Sequence, residues 1–322
     1  MKLFDLHCDT LYECYETNKA LRQNDLAIDR EKVADYARYV QFFALFCGTE
    51  APDYVKERRR ARPLLDLPPE RRFDALRSIA HAQFADNADW LTLCTSAQDL
   101  DRTVREGKAA AFLSIEGAEL LCGETTLERA YEQGVRLVTI TWNNENDYGT
   151  PACIDQRAGL KPAGKQLVRE MNALGVLPDV SHLSEAGFWD VAEHSTRPFV
   201  ASHSNARAVC DHCRNLSDAQ FDAIVRAHGL VGINLYGKFL TADGKSTVDD
   251  LVRHIEHFCA RGGEKHLALG SDFDGCDILP DGIATARDLT LLAETLLRLG
   301  YKQTTVDDLF YGNASDFIHR NL

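Results

Sequence analysis

The sequence predicts an α/β fold, a (β/α)8 TIM barrel, on three observations. Short apolar runs recur eight times, amphipathic helical stretches separate them, and polar residues suited to metal binding or proton transfer follow several of the runs. Runs of this kind suit strands buried on both faces of a parallel sheet. The 322 residues contain no evident linker, repeat or low-complexity tract, so a single barrel domain over 1–322 is expected.

In chain order the runs are 2–6, 40–46, 109–115, 135–141, 176–180, 198–201, 230–235 and 266–270. Between them, 162–174 carries Leu167, Val168, Met171 and Leu174 at helical spacing, and 185–194 carries Phe188, Val191 and Ala192. Segments 248–260 and 286–299 read the same way. The connection 48–108 is unusually long. Within it 54–62 is strongly basic, with Arg58-Arg59-Arg60 read as a solvated helix face, and 68–85 reads as a long helix on the barrel's outside or rim. The last segment, 305–320, reads as a helix capped by Thr305. An open doubly wound sheet is the rival fold, but no Gly-x-Gly-x-x-Gly follows any run.

The formal charge of −13 argues against nucleic acid or an anionic membrane as a main partner. The ten cysteines form no compact framework. No apolar leader core, lipid-anchor tail or run of 18 apolar residues is visible. These features together predict a cytoplasmic protein with reduced thiols.

Barrel enzymes place their chemistry at the C-terminal ends of the strands. At those ends stand His7 and Asp9, then Glu116, then Asp179 to His182, then Ser202-His203-Ser204, and finally Gly270 to Gly275 with Asp272. Each residue alone has an ordinary structural explanation. Together, three histidines and several carboxylates at one barrel end are what two divalent cations with a bridging carboxylate require.

The same residues carry a family resemblance. Asp5-Leu6-His7-Cys8-Asp9, Ser114-Ile115-Glu116-Gly117, Asp179-Val180-Ser181-His182, Ser202-His203-Ser204-Asn205-Ala206, His212-Cys213-Arg214-Asn215-Leu216 and Gly270-Ser271-Asp272-Phe273-Asp274-Gly275 occur in order over nearly the whole chain. The chain resembles the membrane dipeptidase (renal dipeptidase) family of metallopeptidases. The resemblance implies a barrel of the metal-dependent, amidohydrolase-like hydrolase type with two zinc ions, and a dipeptide as substrate. It implies His7 and Asp9 as ligands of one zinc, Glu116 as the bridge, and His182 and His203 as ligands of the other. It further implies Arg214 as the partner of the substrate carboxylate and Asp272 as the acid/base. Relatives are often homodimers. One position departs: where many relatives carry Thr-His after the fourth run, this chain has Thr141-Trp142-Asn143-Asn144. Trp142 cannot carry a proton, so Asn143 or Asn144 takes over polarisation, or the metals suffice.

The expected chemistry is attack by a metal-bridging hydroxide on the peptide carbonyl, with Asp272 carrying the proton to the leaving amine. L-Xaa-D-Xaa dipeptides fall within the expected range. Two other readings stand beside it. One is a lactonase or phosphotriesterase-like hydrolase, disfavoured by Asp9 where such barrels carry a second histidine. The other is a catalytically silent binding barrel, disfavoured by the complete ligand set. Cys210-x-x-Cys213 is read as neither a redox pair nor a zinc site, Cys8 as core, His254 and His257 as a solvated helix face, and Asp179 and Asp274 as supports for neighbouring site residues.

Overall fold

The computed structural model describes residues 1–48 and 64–322. The described residues form nine strands: β1 (Lys2–Asp5), β2 (Arg38–Phe46), β3 (Leu91–Leu93), β4 (Ala109–Glu116), β5 (Val135–Thr139), β6 (Leu177–Asp179), β7 (Val200–Ala201), β8 (Leu230–Ile233) and β9 (Leu267–Leu269). All pairings between them are parallel. β2 pairs with both β1 and β4, and β1 with β9, so eight strands close into a barrel with helices around it.

The eight expected runs are the eight barrel strands. The ninth, β3, was not anticipated. Leu91–Leu93 pairs with Ala109–Ala111 at the start of β4, below the point where β5 joins the same edge at Leu113. The long connection also holds the helix Pro69–Asp86, close to its expected bounds, and a second helix, Ala97–Arg105. The basic stretch 54–62, with Arg58 to Arg60, lies outside the described residues.

Alternation along the strands divides the interior into two layers. In β4, Ala111, Leu113 and Ile115 face the surrounding helices, while Ala110 and Phe112 join the cluster inside the barrel. Glu116 continues that inward register. Phe4, Phe42 and Phe112 fill the lower barrel, with ring centroids 5.0–6.2 Å apart. Tyr311 closes it from below, 6.2 Å from Phe4. Tyr311 lies on a π-turn, Asp308–Gly312, between the helices Gln303–Asp307 and Asn313–Asn321. The terminal helix therefore begins at Gln303, and Thr305 lies inside it and is not its cap.

Two further expectations need correction. His254 is fully buried, accepting the Ala206 N–H at Nδ1 (3.1 Å) with Nε2 3.3 Å from the Leu240 carbonyl. Only His257 is at the surface, on Asp218 at 2.7 Å. The apolar positions of the helix Val248–Ala260 span a wider arc than the simple alternation suggested, and that arc takes in residue 254. Secondly, Cys153 and Cys213 form a disulfide, so the thiols are not all reduced; the other eight cysteines are free. The partners stand 60 positions apart in sequence, a pairing that no short spacing signals.

Candidate metal centre

The upper barrel end gathers the polar residues that follow the strands. His7, Asp9, Glu116 and His203 are at most 4% exposed, and His182 is 7% exposed. Glu116 lies at the centre. Its Oε2 is 3.4 Å from His7 Nε2, while its Oε1 is 3.0 Å from His182 Nε2 and 3.4 Å from His203 Nε2. The two oxygens of one carboxylate thus face different histidines, with the His7 and His203 ring centroids 4.0 Å apart. Asp9 Oδ2 lies 3.5 Å from His7 Nε2, and Asp272 Oδ1 lies 3.8 Å from the same atom.

The donor set fits divalent cations. His7 Nδ1 and Nε2, Asp9 Oδ1 and His203 Nε2 are buried and have no hydrogen-bond partner among the described residues. Buried polar atoms are normally satisfied, and orphans on one cluster of N and O donors mark an ion site. Two groups of potential ligands overlap at His7: one with Glu116 and His203, the other with Asp9 and Asp272.

The electrostatics describe the same crowding. Burial opposes charge on His7, but Glu116 and Asp9 overcome it and hold its pKa well above the usual value. Burial, then the charges of Arg214 and His7, holds His182 well below it. His203 is low through burial, then through His7 and His182. Burial, reinforced by Glu116, raises Asp9 to about 6. Burial, opposed by His7 but reinforced by Asp9 and Glu116, raises Asp272 to about 7. Three carboxylates this close repel one another, and positive charge between them relieves the repulsion.

Backbone strain accompanies the site. His182, Asp272 and Asp274 adopt left-handed φ values of 61–68°, costing about 1–3 kcal/mol each. Side chains and backbone from other segments hold the two aspartates there. Asp272 Oδ2 accepts from Asn234 Nδ2 at 3.0 Å, and Asp274 accepts from Thr10 Oγ1 (2.5 Å) and the Ala27 N–H (2.8 Å). Cys8 turns away into the outer core, as its place between His7 and Asp9 predicted.

Arg214 is 5% exposed, with Nε and Nη2 unpartnered and its guanidinium 5.3 Å from the Phe239 ring centroid. Burial lowers its pKa to about 10, against the pull of Asp272 and Glu116. The disulfide ties its neighbour Cys213 to Cys153, beside Ala152, whose N–H bonds the His182 carbonyl at 2.7 Å. Trp142 is half-buried, edge-on to Phe46 at 4.9 Å and 6.4 Å from the His182 ring. Asn143 Oδ1 lies 2.9 Å from His182 Nδ1, so this side chain reaches a histidine of the cluster.

Sequence reasoning missed two residues here. Asn234 follows directly on β8, inside the run 230–235, the one signal available, and positions Asp272. Gly275 packs directly on two carboxylates: a Cβ there would lie 2.1 Å from Asp9 Oδ2 and 2.5 Å from Asp272 Oδ1. Its place closing Gly270 to Gly275 was visible, but not the close approach.

Comparison with known proteins identifies the family. Residues 1–318 match the model of the family described as Membrane dipeptidase (Peptidase family M19). A protein in the pqqA 5′ region of Klebsiella pneumoniae is 43% identical over 73% of this chain and 91% of its own length. Dipeptidase tcpJ of Claviceps purpurea is 32% identical over 70% of this chain, which spans about half (54%) of that relative. A metallopeptidase from Rhodobacter sphaeroides, solved with a phosphinate mimic of the dipeptide L-Ala-D-Ala, superposes with TM-score 0.87 at 27% identity, covering 100% of this chain and 99% of the other. A closed barrel, a buried donor cluster at its upper end and a family match over almost every residue converge: the chain belongs to the membrane dipeptidase family and is a metallo-dipeptidase.

Proposed function

We propose that this chain hydrolyses small dipeptides bearing a free C-terminal carboxylate, with two divalent cations, most simply Zn2+, as cofactors. The observation that carries the reading is Glu116, whose two oxygens face His7 on one side and His182 with His203 on the other. In this reading His7 and Asp9 would hold one cation and His182 and His203 the other, with Glu116 available to both. When bound, such a pair supplies an acidified water as nucleophile and polarises the scissile carbonyl.

The protein's own groups do the rest. Asp272 Oδ1 takes the proton released on attack and returns it to the leaving amine, while Asn234 fixes the carboxylate through Oδ2. Arg214, buried with unpartnered N–H groups, binds the substrate carboxylate and sets the register one residue beyond the scissile bond. Trp142 walls the pocket beside His182, and Asn143, its Oδ1 engaged by His182, offers Nδ2 to the substrate. A D-residue in the second position belongs to this reading, supported by the L-Ala-D-Ala mimic held by the Rhodobacter sphaeroides protein. So does a cytoplasmic location, with the Cys153–Cys213 bond the feature that runs against it.

The test is a panel of matched L,L and L,D dipeptides, each with a free and an amidated C-terminus. Free dipeptides should turn over, and amidation or Arg214→Met should each raise KM about ten- to a hundredfold, the worth of a charge-assisted pair. Two ions bound with no dipeptide turned over would reject the proposal.

A further inference from the structure

The metal-facing histidines differ in what holds their far nitrogens, and His203 has the more elaborate support. Ser202 Oγ lies 2.5 Å from Asp179 Oδ2 and 2.8 Å from His203 Nδ1. All three residues are fully buried. Asp179 also accepts from Thr139 Oγ1 at 2.6 Å, the Ser181 N–H at 3.0 Å and the Ser202 N–H at 2.9 Å. Four donors converging on one carboxylate is the pattern of an ionised acceptor, which has no proton to give.

A hydroxyl has a single hydrogen. Facing a carboxylate at 2.5 Å, Ser202 spends it on Asp179, and its oxygen then accepts from His203. That requires the hydrogen on His203 Nδ1 and leaves a lone pair on Nε2. Nε2 is the atom that lies buried and unpartnered, 3.4 Å from Glu116 Oε1.

The opposite side of the barrel carries a similar carboxylate without the histidine. Asp5 accepts from the Ser271 hydroxyl, the Ser271 N–H at 2.9 Å and the His7 N–H at 3.3 Å. Yet among the described residues Ser271 makes no bond to an imidazole, and His7 Nδ1 has no partner. Two buried Asp–Ser pairs thus stitch neighbouring strands, and only one continues to a candidate ligand.

We propose that Asp179 and Ser202 are positioning residues, a relay that fixes the His203 tautomer and presents Nε2 to one of the two cation sites. The inference rests on the cation reading above. The relay serves the His182/His203 side alone and leaves the His7/Asp9 side untouched.

Ser202→Ala tests it more cleanly than a change at Asp179, because Asp179 keeps its three other donors. The first readout is imidazole 15N NMR of the metal-free protein. Wild type should show a protonated Nδ1 and a bare Nε2 on His203, and Ser202→Ala a mixture of tautomers. The second is Zn2+ binding by chelator competition. One of two ions should weaken about 10–100-fold and the other should stay within twofold. Ser202→Thr, which keeps the hydroxyl, should restore both readings. A wild-type His203 protonated on Nε2, or a Ser202→Ala protein with unchanged tautomer and unchanged affinities, would overturn the relay. Should wild type bind no Zn2+, the cation reading fails, while the NMR readout still decides the relay.

Discussion

The two ends of the barrel use the same eight strands for opposite purposes. The lower end is apolar and satisfied: Phe4, Phe42 and Phe112 stack, and Tyr311 closes over them. The upper end is polar and strained. It leaves His7, Asp9, His203 and Arg214 atoms buried without partners and holds His182 and Asp272 at left-handed φ. Stability comes from the first arrangement, and the second spends some of it on a ready-made site. Glu116 and Phe112 show how near the two lie, since they share one face of β4 only four residues apart.

The contrast makes its strongest statement at Asp272. Asp272→Asn should cut turnover by about 10²–10⁴, the worth of a general acid/base, with metal content kept and the melting temperature unchanged or higher. Full activity in that variant would remove Asp272 from proton transfer. The lower end should answer in the opposite way. Phe112→Ala empties a fully buried site and should cost about 3–5 kcal/mol in chemical denaturation, while the folded fraction keeps its metal content. A loss of metal without a loss of stability would mean that the two ends are not separable.

His254 tests a third region, the buried face of the helix Val248–Ala260. Burial holds its pKa down at about 4, despite its bond to the Leu240 carbonyl, with Arg253, His257 and Asp250 as charged neighbours. Between about pH 6.5 and 4 the unfolded chain therefore binds a proton that the folded chain refuses. Stability should be complete above 6.5, fall as the pH drops, and level off about 3 kcal/mol lower below 4. His182 and His203, also held low by burial, add to the wild-type slope, so denaturation midpoints against pH should fall less steeply in His254→Gln than in wild type. Equal slopes would place the acid sensitivity elsewhere.

How much of this was legible in the sequence follows from the range of the interactions. The eight runs located the barrel because burial on both faces leaves a local apolar signature. Leu91–Leu93 escaped because three residues carry no period. The groups at the strand ends were visible as His7, Asp9, Glu116, His182, His203 and Asp272, since strand ends are local features, and the structure brings all six to one end. Arg214 is near them as well. Gly275 and Asn234 were not singled out, because a close approach to Asp9 or a hydrogen bond to Asp272 exists only after the chain has closed on itself. The Cys153–Cys213 pairing was hidden for the same reason, whereas Cys210 stays free, in line with the discounted Cys210-x-x-Cys213 spacing.

The claim at the centre of this account is that Glu116 joins two cation sites into one hydrolytic centre. The most direct measurement strips the chain with chelator and follows dipeptide hydrolysis as Zn2+ is returned, for wild type and Glu116→Gln. The account predicts that wild-type turnover needs two equivalents, and that Glu116→Gln recovers little activity at any loading. Turnover by the stripped chain, or full activity at one equivalent in both proteins, would contradict it.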